Sequence, residues 1–252
     1  MRDLFRLEAI GRLRTPFPDK FGIPRQAGLV DLPGVIEMAP PYDELDFFEG
    51  LEEVSHLWVT FLFHRNLEQR WKGRVRPPRL GGNRRLGVFA TRSPYRPNHL
   101  GLSAVRLRAI ESRKGRSVKL RISGVDMLDG SPVVDIKPYL PYADAVAGAR
   151  GGFADSAPEP RLQVGFTAEL ESRLRALPEG EELAGAVRAL IGLDPRPAYA
   201  AGSGQGRIHG MALYRWDFRW RVEDGGKRAV VFGMESRDAA VPRSRGVAKR
   251  PQ

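Results

Sequence analysis

The chain has 252 residues, with 41 Lys and Arg against 30 Asp and Glu and no cysteine. That length can bury a core in one large or two modest domains, while the missing thiols exclude a disulfide framework, a cysteine nucleophile and thiolate metal ligation. The net charge of +11 points to a polyanionic partner, nucleic acid ahead of an anionic membrane.

The four histidines, His56, His64, His99 and His209, are scattered without zinc-site spacing, so no metal is expected. The first residues lack the apolar segment of a signal peptide, and no apolar run reaches about 18 residues, which predicts a soluble, cytoplasmic protein that does not enter a membrane.

In chain order, residues 5–14 alternate loosely and predict a first strand. Residues 56–63, HLWVTFLF, form a short aromatic-rich apolar run that predicts a buried strand. Further strands are expected at 86–91, 102–110, 118–125 and 133–136, with prolines and glycines in the gaps. Many short strands without the regular helices of a βαβ repeat predict a mainly β barrel or sandwich.

Residues 148–161 are rich in Gly, Ala, Pro and Ser and lack a hydrophobic period, so a join is expected there. The expected division is a β-barrel domain at 1–147, a linker at 148–160, a small α+β domain at 161–238 and a disordered basic tail at 239–252. Within the second domain, 181–191 place Leu183, Ala186, Val187 and Leu190 at helical spacing. Residues 211–223 then predict one strand with Tyr214, Trp216, Phe218, Trp220 and Val222 on one face, followed by a turn at 224–226 and a strand at 229–234. The aromatic face is expected to be core, the alternative being a stacking platform for bases.

The charge is concentrated. Residues 65–108 hold 12 basic side chains against the single acid Glu68, which equals the excess of the whole chain. Inside this window the run RPPRLGGNRRLGVFATRSPYRPNHLGLS, 76–103, mixes arginines with glycines and prolines. Shaped loops presenting guanidinium forks to an anion are expected. Neither a GxGxxG opening a helix after a strand nor a P-loop is present, which argues against a Rossmann methyltransferase or dehydrogenase and against a Walker NTPase. Three acids, Asp126, Asp129 and Asp135, accompany Lys137 around an Asp-Gly turn in 124–142.

Six segments read together, PRQAGL (24–29), HLWVTFLFH (56–64), the arginine-rich run, DGSPVVDIKPYLPY (129–142) and DPRPAY (194–199) with WDFRWRV (216–222), resemble the TsaA-like (TrmO) family. These are S-adenosylmethionine-dependent tRNA N6-threonylcarbamoyladenosine methyltransferases. The resemblance spans about residues 4–237 in the right order; His99 and Leu100 depart from a Pro-Ile found in some relatives.

The resemblance implies a small non-Rossmann β-barrel catalytic domain followed by a small α+β domain that helps hold tRNA. It also implies a homodimer with S-adenosylmethionine near the subunit interface. Cofactor contacts are implied at Pro24, Arg25, Gln26, His64, Arg65, Arg92, Leu102, Asp129, Gly130, Ser131 and Pro132. The expected substrate is an anticodon loop carrying threonylcarbamoyladenosine (t6A) at position 37, in a threonine tRNA, with m6t6A as product.

Because the acceptor N6 is a weak nucleophile, a base is expected, with Asp135 and Tyr142 as candidates and His64 behind them. Arg96, Arg84 or Lys137 is expected to read the threonylcarbamoyl carboxylate, and Arg196 and Tyr199 to touch the substrate from the second domain. The alternatives are a non-catalytic RNA-binding β module and an S-adenosylmethionine-dependent methyltransferase of the same fold with another acceptor.

Overall fold

The computed structural model describes residues 3–81, 84–196 and 206–238. Its first part is a closed antiparallel barrel. The strands are β1 (Gly11–Arg14), β2 (Pro33–Met38), β3 (His56–Leu62), β6 (Leu100–Arg113), β7 (Arg116–Ser123) and β8 (Pro132–Pro138), in the order β1-β2-β7-β6-β3-β8. β8 closes on β1 through Gly11↔Val133, so the sheet is left without an open edge. The period of two in β3 explains the closure: Leu57, Val59 and Phe61 point inward and are buried, while Trp58 and Thr60 face out. Leu13, Ile36, Val105, Leu120, Ile122 and Val133 fill the interior from the other strands. A two-stranded ribbon, β4 (Arg74–Val75) with β5 (Leu86–Gly87), stands apart from the barrel.

The second part is a four-stranded sheet of β9 (Gln163–Phe166), β10 (His209–Leu213), β11 (Trp216–Glu223) and β12 (Arg228–Ser236). Its order is β10-β11-β12-β9, with β9 parallel to β12. Helices α2 (Ala168–Arg175) and α3 (Gly180–Gly192) cover it, following the short α1 (Pro141–Asp144) that ends the barrel. The α2 helix starts at Thr167, whose Oγ1 accepts the Leu170 N–H. Leu170 and Leu174 of α2, with Leu183, Val187 and Leu190 of α3, supply the buried stripe against the sheet.

The loop between β1 and β2 locks the two parts together. Gly22, at φ 91°, lies under Met211, and a Cβ there would come within 2.7 Å of the Met211 Cγ. The Tyr214 N–H donates to the Pro16 carbonyl at 2.8 Å, and Arg237 Nη1 reaches Asp19 Oδ2 at 2.9 Å and Asp217 Oδ1 at 3.1 Å.

Several sequence expectations are corrected. The first strand begins only at Gly11: Ile10 bonds to Val133 of β8 and to Ala39 beyond β2, but residues 3–9 before it are exposed and belong to no strand. Residues 86–91 give two residues of strand and then a single tight turn at Val88–Ala90. The 211–223 segment is two strands. Tyr214, at φ 52°, turns the chain back so that Leu213 pairs with Trp216. Phe218, Trp220 and Val222 are nonetheless buried, so that face is core and offers no platform for bases. The strand β2 and helix α2 went unread. The expected tail at 239–252 lies outside the described residues.

Candidate active site

A cavity of about 670 Å³ opens at the barrel rim, where β3 ends and β6 begins. Four loops wall it: Pro24–Gln26 before β2, the turn at His64–Asn66, the arginine-rich loop at 89–96, and the segment from Asp126 to Ser131 that follows β7. At its inner end Gly101 lets the Phe61 ring pack directly over β6, since a Cβ there would lie 2.3 Å from that ring. Phe63, Phe89, Trp58 and Leu102 give apolar wall, and Leu102 and Phe89 remain largely exposed at the mouth.

The charged groups are arranged against this wall. Asp126, partly buried, accepts from Ser103 Oγ at 2.7 Å. Its removal from water raises its pKa above the usual carboxylate range, opposed by the Ser103 hydroxyl, the Ala27 N–H and the Arg92 charge. Arg92 also donates from Nη1 to Gln26 Oε1, which ties the arginine-rich loop to the Pro24–Gln26 loop. Arg96 donates from Nη1 to the Thr91 carbonyl at 3.0 Å. Lys20 donates to Asn66 Oδ1 at 2.7 Å and to the Arg65 carbonyl at 3.0 Å, while Arg65 lies 3.5 Å from Asp19.

The contacts of Ser131 favour one tautomer of His64. Ser131 Oγ gives its only hydrogen to the Leu128 carbonyl at 2.7 Å, so its 3.2 Å contact with His64 Nδ1 requires Nδ1–H to donate. Nε2 is left as the unprotonated nitrogen and has no hydrogen-bond partner among the described residues. Burial first, then the charges of Arg65, Arg12 and Lys20, lower the His64 pKa, which keeps the ring neutral near pH 7.

Of the residues singled out in the sequence, the fold brings Pro24, Arg25, Gln26, His64, Arg65, Arg92, Arg96, Leu102 and Ser131 to this cavity. Others lie elsewhere. Asp129 Oδ1 accepts the Thr15 N–H at 2.9 Å, Gly130 is bonded to Leu13 and Arg12, and Pro132 starts β8 opposite Arg12. The Asp129 to Pro132 turn therefore supports the wall from behind, with only Ser131 facing in.

Asp135 and Lys137 form an ion pair with each other on β8 and do not line the cavity. Tyr142 is 87% exposed on α1, at the cavity's edge: Asp144 of the same turn accepts from the cavity-lining Trp58 Nε1 at 2.8 Å. Arg84 is exposed and outside the lining. Arg196 is corrected most clearly, because it is buried and its fork is taken by Asp194, Nε to Oδ1 at 2.7 Å and Nη2 to Oδ2 at 2.9 Å. Tyr199 lies outside the described residues.

Sequence reading missed Trp58, Thr60 and Phe89 as lining residues and gave Asp126 no role. The alternation of β3 carried the signal for Trp58 and Thr60, because a closed barrel turns every second residue outward. For Asp126 and Ser103 no signal existed, since they lie 23 residues apart and meet only through strand pairing.

Guanidiniums on one wall, a carboxylate on another and aromatic side chains between them suit a ligand carrying both an α-amino-acid zwitterion and a flat ring. The tRNA-methyltransferase O N-terminal domain matches residues 12–145, and the TrmO C-terminal domain matches 159–237. The chain is 45% identical to the tRNA (adenine(37)-N6)-methyltransferase of Escherichia coli (strain K12), over 92% of this chain and 99% of that protein. It is 50% identical to RcsF of Pseudomonas aeruginosa, over 84% of this chain and 90% of that protein, which carries a name proposing S-adenosylmethionine-dependent methyl transfer. The crystal structure of TrmO from P. aeruginosa superposes with a TM-score of 0.76 at 36% identity, covering 94% of this chain and 99% of that one. With both domains matched in order and nearly full-length relatives on either side, the chain belongs to the tRNA-methyltransferase O family.

Proposed function

We propose that this protein is an S-adenosylmethionine-dependent tRNA methyltransferase acting on N6 of adenosine 37, and that this adenosine carries a threonylcarbamoyl group, so that t6A becomes m6t6A. The observation that carries the reading is the rim cavity lined together by Arg25, Arg92, Asp126 and a neutral His64. These residues fit the cofactor. Arg25 or Arg92 would take the methionine carboxylate, Asp126 the ammonium or a ribose hydroxyl, and the aromatic wall the adenine. When bound, S-adenosylmethionine supplies an electrophilic methyl group on a sulfonium.

The chain's own residues do the rest. Trp58 and Phe63 orient the acceptor ring against the apolar wall, and alignment of the reacting atoms accounts for much of the acceleration. His64 Nε2 takes the proton leaving N6, because it is the neutral, uncommitted nitrogen in the cavity; this replaces the expectation that placed Asp135 and Tyr142 ahead of it. Arg96 reads the threonylcarbamoyl carboxylate, since Arg84 and Lys137 are not in the cavity wall.

A homodimer draws support from the apolar Leu102, Phe89 and Tyr142, which stand in solvent in or beside the mouth. We place the reaction in the cytoplasm, on the anticodon loop of a threonine tRNA.

Nucleoside mass spectrometry after incubation with S-adenosylmethionine tests the reading. Methyl should appear on t6A in threonylcarbamoylated tRNA and be nearly absent from adenosine 37 of the unmodified transcript. Equal methylation of both would overturn the substrate, and no calorimetric heat with S-adenosylmethionine would favour a non-catalytic RNA module.

A further inference from the structure

We infer that the cleft between the barrel and the second domain is a second RNA site, which holds one nucleotide of a single-stranded loop with its base on an apolar floor and its phosphate on Arg79 and Arg161. The inference rests on the tRNA reading above and names a contact which that reading does not contain. The cleft encloses about 430 Å³, within the range of small-ligand sites, and shares Pro24 and Arg25 with the catalytic cavity. Its floor comes from both domains, Leu29 from one and Leu193 from the other. Three guanidiniums, Arg25, Arg79 and Arg161, line it against one acid, Glu159.

Among the described residues none of the three arginines forms an ion pair. Arg79 Nη2 donates to the neutral Ser156 Oγ at 3.2 Å, whereas Arg215, Arg219 and Arg221 of the second domain each meet a carboxylate. Burial, then Arg161, with Arg79 adding and Asp194 opposing, make protonation of Arg25 harder than usual, as expected for like charges awaiting a counterion. Arginine forks match phosphate oxygens bidentately. A phosphate attached to a base is favoured over an acidic peptide because the floor is apolar and the cleft runs into the cavity assigned to a neighbouring nucleotide.

Arg79→Ala and Arg161→Glu in the full chain test this, with Arg113→Glu, an exposed arginine on the β6–β7 hairpin, as control for general loss of charge. The expected result is a KM for tRNA raised about tenfold in the cleft variants, with kcat and the S-adenosylmethionine Kd within about twofold of wild type. The salt slope of RNA binding should shrink by about 0.7 for each lost contact. A KM equal to wild type, or raised no more than by Arg113→Glu, would overturn the site.

Polarisation binding of a fluorescent single-stranded oligoribonucleotide separates this from the catalytic reading. Loss in the cleft variants but not in Arg113→Glu supports the cleft even if no tRNA is methylated, and equal binding by all four proteins rejects it. Arg161 is exposed, so if Arg79→Ala fails to fold, Arg161→Glu decides alone.

Discussion

His64 and Asp126 face the same cavity, and burial moves their proton affinities in opposite directions. For His64 the neutral, proton-accepting form persists to more acidic pH than an unperturbed imidazole would allow. The acid limb of kcat against pH should therefore lie below the ordinary histidine value of about 6.5. His64→Gln should lower kcat by about 100-fold and abolish that limb while S-adenosylmethionine still binds; a variant with wild-type kcat would remove His64 from the proton path. In stability the signs differ. The native state binds fewer protons at His64 than the unfolded chain, so this contribution is lost as pH falls below the ordinary value. At Asp126 the native state binds more, so stability falls as pH rises from the ordinary carboxylate range through the raised value. Asp126→Asn should flatten that fall in Tm as pH rises above about 4 while weakening cofactor binding. A Tm profile parallel to wild type would show that Asp126 carries no such penalty.

At the scale of elements, the β3–β6 pair both builds the barrel and shapes the cavity. Gly101 is the point where the two tasks meet, because Phe61 occupies the place of its missing side chain. Gly101→Ala should destabilise the fold by about 1–3 kcal/mol, read from denaturant midpoints, since the Phe61 ring must move out of the barrel end. An unchanged midpoint would mean the ring has free space to shift into. Strand β3 was legible because His56 to Leu62 is a short apolar run rich in aromatic and β-branched residues, and helix α3 because its apolar residues keep a helical period. The β10–β11 hairpin was not legible. Tyr214 and Arg215 form a turn with no glycine or proline, so the alternating pattern continues through it and reads as one strand. Strand β2 is short and follows a proline-rich loop, and its second partner, β7, comes from a distant part of the chain.

For the whole molecule, the +11 charge predicts that RNA binding weakens steeply with salt, with a slope set by the number of phosphates neutralised. A flat response between about 50 and 200 mM salt would contradict an RNA substrate. The charge also shows how much of the site was visible beforehand. Clustered arginines between Arg65 and Arg108 located one wall of the cavity, and the short PRQAGL and Phe63-His64-Arg65 segments located two more, because each carries its polar groups in consecutive residues. Charge alone did not separate Arg92 and Arg96, which face the cavity, from Arg79, which turns to the interdomain cleft, or from the exposed Arg84. Nor did it show that Arg196 is consumed by Asp194. By itself the sequence determined the mainly β character, the basic charge that suits a polyanionic partner and the motifs of the family, since these depend on residue type and near-neighbour spacing. Only the tertiary structure decided which acid shares the cavity with His64 and which arginines remain unpaired, because both depend on strand register and domain docking between residues far apart in the chain.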